Sequence, residues 1–314
     1  MKAVLQYRAS AAFRARLQER APVWLEVVCV DETDTLAVHR ELSDADVLLH
    51  VLEPVTDELL RAAPKLRLVQ KIGVGINTID VEAAKARGVA VANMPGTNSQ
   101  AVAEHALMLM LAALRRVVYL DAQTRAGNGW TLTPETFDTT GELCGRTVGF
   151  VGYGAVPRRL TAALVALGAK VVYYAADSVP DDAATRLPTL DALLRAADIV
   201  SLHVPLTRET RNMLNGATLH AMRQGAVLVN TARGELIDED ALAEALRSGR
   251  IRAAGIDVFA EEPVRADNPL LTLPNVVATP HIAWLTPETL ERSIDVIVEN
   301  CGRLREGMPL VNQV

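Results

Sequence analysis

Short apolar runs alternate with helical stretches along almost the whole chain, and this alternation decides which folds are open to it. An opening strand at 1–7 and strands at 27–30, 47–49, 68–72 and 89–92 are separated by helical stretches. The pattern resumes at Gly145. Strand 148–151, helix 158–167, strand 170–174, helix 190–197 and strand 199–203 come first. Strand 226–231, a helix after Asp238, and strands 253–257 and 276–278 complete it. A strand reached through a helix returns parallel to the one before, so the repeat predicts doubly wound parallel sheets. The 314 residues exceed one ordinary domain, and half are hydrophobic, which is enough for two cores.

The break between domains is expected at Asn93-Met94-Pro95-Gly96-Thr97-Asn98, a turn cluster suited to capping a long helix that starts near Ser99. Alanine, leucine and methionine crowd this helix over 101–114. It is apolar nearly all round, so it should lie inside the molecule or in a subunit interface. A closing helix is expected from Thr286, the N-cap, with Pro287 at its first position. The second sheet already has its strands and helices, so the closing helix is assigned to the first domain. That domain is then discontinuous, 1–98 plus 285–314, with 99–284 inserted.

A net charge of -6 and a pI near 5.6 argue against nucleic acid or an anionic membrane as partner. The N-terminus lacks the apolar stretch and cleavage site of a signal peptide. The most apolar run, 106–114, is far short of a membrane span. Cys29, Cys144 and Cys301 are too far apart for a local metal motif and give no disulfide framework. They read as small core hydrophobes in a protein of the reducing cytoplasm, with no metal site expected.

Gly152-Tyr153-Gly154 follows strand 148–151 and opens a helix. Such a turn lets backbone approach a pyrophosphate, which the helix N-terminus attracts. Pro157 stands where the third glycine of the usual spacing belongs; proline is tolerated in a first helical turn. The next strand ends in Tyr174-Ala175-Ala176-Asp177, with alanine where an acid would meet the ribose hydroxyls, and no arginine or lysine nearby in sequence. A phosphate beside Asp177 would be repelled, so NAD is expected as the cofactor, with NADP left open.

Three residues at later strand ends carry the chemistry: Arg233, Glu262 and His281. A guanidinium grips a carboxylate with two nitrogens. An imidazole gives a proton to a ketone oxygen, and a carboxylate beside it favours its charged form. Singly, each has an ordinary structural reading, a loop cation, a solvated turn and a strand-end histidine. Together they are a complete set for reducing a 2-oxo acid.

The sequence resembles the D-isomer-specific 2-hydroxyacid dehydrogenases. The likeness runs from Gly73-Val74-Gly75-Ile76-Asn77 through Val102-Ala103-Glu104-His105, the glycine turn and Leu202-His203-Val204-Pro205-Leu206-Thr207. It continues through Val229-Asn230-Thr231-Ala232-Arg233-Gly234, Gly255-Ile256-Asp257-Val258-Phe259 and Thr279-Pro280-His281-Ile282-Ala283-Trp284. It implies an α/β fold of two doubly wound parallel-sheet domains, a Rossmann cofactor domain inserted into a discontinuous flavodoxin-like substrate domain. It also implies roles. His281 would be the acid/base, Glu262 its partner and Arg233 the carboxylate grip. Asp257 would hydrogen-bond the nicotinamide carboxamide. Val102, Gly152, Gly154, Ala155, Val156, Ala175, His203, Val204, Pro205, Thr210, Thr231, Ala232 and Ala283 would complete the cofactor site beside Arg233 and His281. Backbone amides at Val74 and Gly75 would receive the substrate carboxylate, with Val51, Leu52 and Trp284 around it.

Departures from close relatives narrow the substrate. The first loop, His50-Val51-Leu52-Glu53-Pro54, lacks the phosphate-gripping arginine of phosphoglycerate dehydrogenases, and His50 would contact an anion only weakly. Val74 stands where phosphite dehydrogenases carry lysine, and Glu262 where formate dehydrogenases carry glutamine. The run His281-Ile282-Ala283-Trp284 resembles glyoxylate and hydroxypyruvate reductases, and also the corepressors of the same fold. The expectation is reduction of a small 2-oxo acid with an uncharged side chain by a homodimer. The alternative is a nucleotide-sensing, corepressor-like binding protein.

Overall fold

A computed structural model describes residues 1–177, 181 and 183–314. The described chain divides into two compact units, Met1–Asn98 with Trp284–Val314, and Ser99–Ala283. The second junction falls between Ala283 and Trp284, which puts Trp284 in the first unit.

The first unit is built on five parallel strands, β1 (Lys2–Gln6), β2 (Glu26–Val30), β3 (Val47–His50), β4 (Leu68–Lys71) and β5 (Ala90–Ala92), in the order β2-β1-β3-β4-β5. This is a flavodoxin-like order, whose direction of winding reverses at β1. The strands are continuous apolar runs because helices cover both faces. The closing helix, Pro287–Glu306, packs Ile294, Ile297 and Cys301 into one of those faces. Thr286 caps it by accepting from the Thr289 amide at 3.1 Å, and Pro287 holds its first position. Asn300 ties the helix to β4 through a 2.7 Å hydrogen bond to Gln70.

The second unit has seven parallel strands: β6 (Thr147–Val151), β7 (Lys170–Tyr174), β8 (Thr185–Arg186), β9 (Ile199–Leu202), β10 (Ala226–Asn230), β11 (Ile251–Ile256) and β12 (Val276–Ala278). Their order, β12-β11-β10-β9-β6-β7-β8, is that of the Rossmann fold, extended at one edge. Sequence pattern does not foresee β8, since two residues carry no periodic signal. The helix Ser99–Arg115 lies against this sheet so closely that a Cβ on Gly255 would meet Leu109 at 2.8 Å. Its inner face is buried, while Met108 and Leu111 are exposed. Two further helices, Val117–Arg125 and Pro134–Asp138, are likewise unforeseen; neither buries a residue, so neither shows an amphipathic pattern.

Three smaller expectations change. The helix after the glycine turn begins at Ala155 rather than 158, because Pro157 is accommodated inside its first turn. Cys144 is exposed, whereas Cys301 is buried. No helix among the described residues is long and apolar enough to cross a membrane.

Candidate active site

Close packing at the glycine turn dictates its residues. Gly152 has φ +89°, and a Cβ there would meet the His203 carbonyl oxygen at 2.5 Å, where β6 and β9 end side by side. Gly154 caps the helix Ala155–Ala166 with no side-chain bond, and a Cβ on it would meet nothing within 4 Å. The helix therefore presents its first amides to open space, which suits a pyrophosphate. Between the glycines, Tyr153 stacks on Tyr173 with ring centroids 4.0 Å apart and donates to Asp181 at 2.6 Å. Burial, and then the Asp181 carboxylate, push the Tyr153 hydroxyl up to about 12.

The remaining residues at this end of the sheet also suit a dinucleotide. Thr231, just past β10, keeps a buried hydroxyl oxygen with no hydrogen-bond partner. Val204 and Pro205 follow β9. Thr210 folds back on that segment, its hydroxyl donating to the Pro205 carbonyl at 2.8 Å. His203 bonds Ser201 at 2.9 Å and lies edge-on to Phe150, and burial pushes its imidazole down to about 3. At the end of β7 the structure adds a cation that local sequence hid. Arg186 of β8 donates to the carbonyls of Ala175 and Ala176, each at 3.0 Å. The expectation of no basic residue there is corrected: strand pairing supplies one from eleven residues downstream.

Arg233, Glu262 and His281 follow β10, β11 and β12, three neighbouring strands, so the sheet brings their loops together. Gly234 lets the first two loops touch, because a Cβ there would overlap the Phe259 carbonyl and the Ala260 amide. Arg233 is largely buried; burial lowers its guanidinium, with the Glu262 and Glu235 carboxylates pulling the other way. Glu262 accepts from the Phe259 amide at 2.9 Å with one oxygen. The other lies 2.6 Å from His281 Nδ1. His281 itself has φ +53°, a left-handed conformation that non-glycine residues rarely hold.

Asp257, just past β11 and fully buried, supports that conformation. Its carboxylate accepts from Thr279 Oγ1 at 2.6 Å, from the Ile282 amide at 3.0 Å and from the Ala283 amide at 2.9 Å. Its backbone carbonyl accepts from the His281 amide at 2.7 Å. Burial alone would raise the Asp257 carboxyl, but donors from His105, Thr279, Ala283 and Ile282 leave it below the ordinary value. His105, expected to be a core residue, belongs to this network: its Nε2 is 2.9 Å from Thr279 Oγ1 and 3.4 Å from Asp257. Nothing near His105 in sequence shows this, since its partners lie more than 150 residues away.

The candidate substrate residues belong to the first unit. Val74 and Leu52 are exposed, and the Val74 and Gly75 amides donate to no acceptor among the described residues. Val51 departs from expectation: its side chain is in the core and its carbonyl accepts from Lys71. His50 is buried as well, bonding the Glu53 carbonyl at 2.6 Å, and so offers an anion nothing. Trp284 packs on the same core, its ring tilted against Tyr7 at 6.3 Å.

A Rossmann sheet with a glycine turn at one strand end and an imidazole–carboxylate pair at others defines the architecture of a dinucleotide-dependent oxidoreductase. The family model described as D-isomer specific 2-hydroxyacid dehydrogenase, NAD binding domain, matches residues 107–283. Glyoxylate reductase of Korarchaeum cryptofilum is 39% identical over 282 residues, covering 87% of this chain and 84% of that one. D-3-phosphoglycerate dehydrogenase of Mycobacterium leprae is 42% identical over 280 residues, 88% of this chain; the chain spans only 52% of that relative's length. The solved structure of TT0316 protein from Thermus thermophilus matches over the whole of both chains, with TM-score 0.89 and 37% identity. The chain belongs to the D-isomer specific 2-hydroxyacid dehydrogenase family, and its second unit contains that family's NAD-binding domain.

Proposed function

We propose that the chain reduces a small 2-oxo acid, glyoxylate or hydroxypyruvate in class, to the D-2-hydroxy acid. The observation that carries this reading is the 2.6 Å contact between His281 Nδ1 and Glu262, on a backbone held at φ +53°. When bound, the nicotinamide supplies the hydride. With Nδ1 engaged by Glu262, His281 delivers its proton from Nε2 to the ketone oxygen. Arg233 holds the carboxylate and polarises the carbonyl. Gly152, Gly154, Ala155 and Val156 hold the pyrophosphate, and Thr231 and Ala232 the nicotinamide side. Asp257 spends its carboxylate chiefly on positioning His281.

Substrate size follows from the first unit. The 50–54 and 73–77 loops contain no lysine or arginine, and His50 is buried, so no cation there suits a phosphate. The test follows reduced-nicotinamide absorbance with glyoxylate, hydroxypyruvate and the phosphorylated analogue of hydroxypyruvate. Turnover of the first two, abolished by His281→Ala, is expected; preference for the phosphorylated acid would overturn the substrate class.

NAD is the proposed cofactor, because Asp177 would repel a 2′-phosphate. Arg186 beside Ala175 favours the second reading, NADP. Paired kcat/KM values for NADH and NADPH decide, and a clear NADPH preference that Arg186→Gln removes would establish the second. We also assign a homodimer. Met108, Leu111, Val117, Val118, Trp130 and Phe137 are exposed, with Trp130 at 89%, more apolar surface than a monomer usually leaves over so short a stretch. A monomer in sedimentation would sink that assignment.

A further inference from the structure

We propose that the first unit carries a separate binding site for a small organic cation, an alkylammonium compound, in the cavity between the ends of β1 and β3. The cavity has a volume of about 250 Å³, and Gln6, Glu32, His39, Glu53, Glu58 and Leu59 line it. None of these residues has a part in the reduction. β1 is the strand at which the sheet reverses its winding, and the crevice at such a point is where open α/β sheets take ligands.

Two independent features say what the ligand offers. Gln6, the last residue of β1, is only 7% exposed, and its Oε1 has no hydrogen-bond partner. A buried acceptor without a donor costs free energy that a ligand N–H would recover. Around it stand three carboxylates, Glu32, Glu53 and Glu58, none in an ion pair among the described residues. Glu32 spends one oxygen on the Arg8 amide, which leaves the other. The site is therefore rich in acceptors and negative charge, and its complement is a cation with several N–H donors. An ammonium group meets this demand at spacings too wide for a metal. No group of three or more His, Cys, Asp or Glu among the described residues could hold a metal ion. Val38 and Leu59 supply an apolar wall for the alkyl part of such a ligand.

Calorimetric titration of the whole chain with cadaverine tests this, with pentanediol as the neutral analogue. One saturable site for cadaverine, and none for the diol, is expected. Replacing two exposed carboxylates of the cavity, Glu53→Gln with Glu58→Gln, should weaken binding roughly tenfold. The charge-matched pair Glu135→Gln with Glu142→Gln, on exposed positions of the second unit, should leave it unchanged. Gln6→Leu should weaken it further if the orphan oxygen takes part; an unaltered melting temperature in the glutamine variants shows that folding is not the cause. Absence of saturable binding, equal binding of the diol, or an equal loss in both double variants would overturn the proposal.

Discussion

The loops after β10, β11 and β12 and those after β3 and β4 occupy equivalent positions, the carboxyl ends of parallel strands, yet they are built differently. In the second unit, side chains fix one another. Glu262 bonds the Phe259 amide and His281, while Asp257 holds Thr279, Ile282 and Ala283. In the first unit the loops present exposed apolar groups, Leu52 and Val74, and unengaged backbone amides. Preorganised groups are what lower a barrier, whereas exposed apolar groups and amides select among ligands. Damage to the second set should remove the reaction; changes in the first should redirect it.

The largest effect is expected at His281. His281→Ala should lower turnover by roughly a hundredfold or more, the usual worth of a general acid, with nucleotide binding retained. Stopped-flow rates and nicotinamide fluorescence measure the two separately; undiminished turnover would end the proposed mechanism. Gly234→Ala comes next. Its methyl would overlap the backbone of Phe259 and Ala260, so the loops carrying Arg233 and Glu262 must part. Overpacking typically costs about 1–3 kcal/mol, and rigid backbone on the other side favours the upper end. The expectation is a lower melting temperature together with lost turnover. A variant that melts earlier yet reacts normally would show that the two loops need not touch.

How far this contrast is legible in the sequence depends on the range of the signal. The strands, the glycine turn and the three reactive residues are marked by local pattern: an apolar run, then a turn, then a distinctive side chain. The support for those residues is not. His105 reaches Thr279 across 174 positions, and only the stacking of the helix Ser99–Arg115 on β11 brings them together. Arg186 is hidden because β8 is two residues long and owes its place to pairing with β7. Val51 escapes a local reading because the chain at the end of β3 turns it inward, and one register step decides whether a side chain faces core or solvent.

A smaller effect belongs to His50, which shows that an imidazole in the first unit serves packing rather than reaction. Burial, and then the Lys71 charge, push it down to about 3. An unfolded chain takes up this proton near pH 6.5, before the folded one does. The stability linked to His50 is therefore complete above pH 6.5 and lost as the pH falls toward 3, about 2 kcal/mol of it by pH 5. Urea titrations at pH 7 and pH 5 should show a wider gap for the native chain than for His50→Gln. Equal gaps would mean that the imidazole does not stay neutral in the fold.

The smallest expected effect tests the comparison most directly. Leu52 is 42% exposed, so Leu52→Ala creates no cavity and should scarcely alter stability. If the first unit selects the acid, removing this side chain should favour bulkier 2-oxo acids by roughly tenfold in kcat/KM, the usual scale for a few methylenes in a pocket. The change should appear in KM, with kcat for glyoxylate held within about twofold, because none of the groups fixed around Asp257 has moved. A fall in kcat on the scale of His281→Ala would mean that Leu52 helps to position the reacting atoms, and the division between a unit that reacts and a unit that selects would no longer hold.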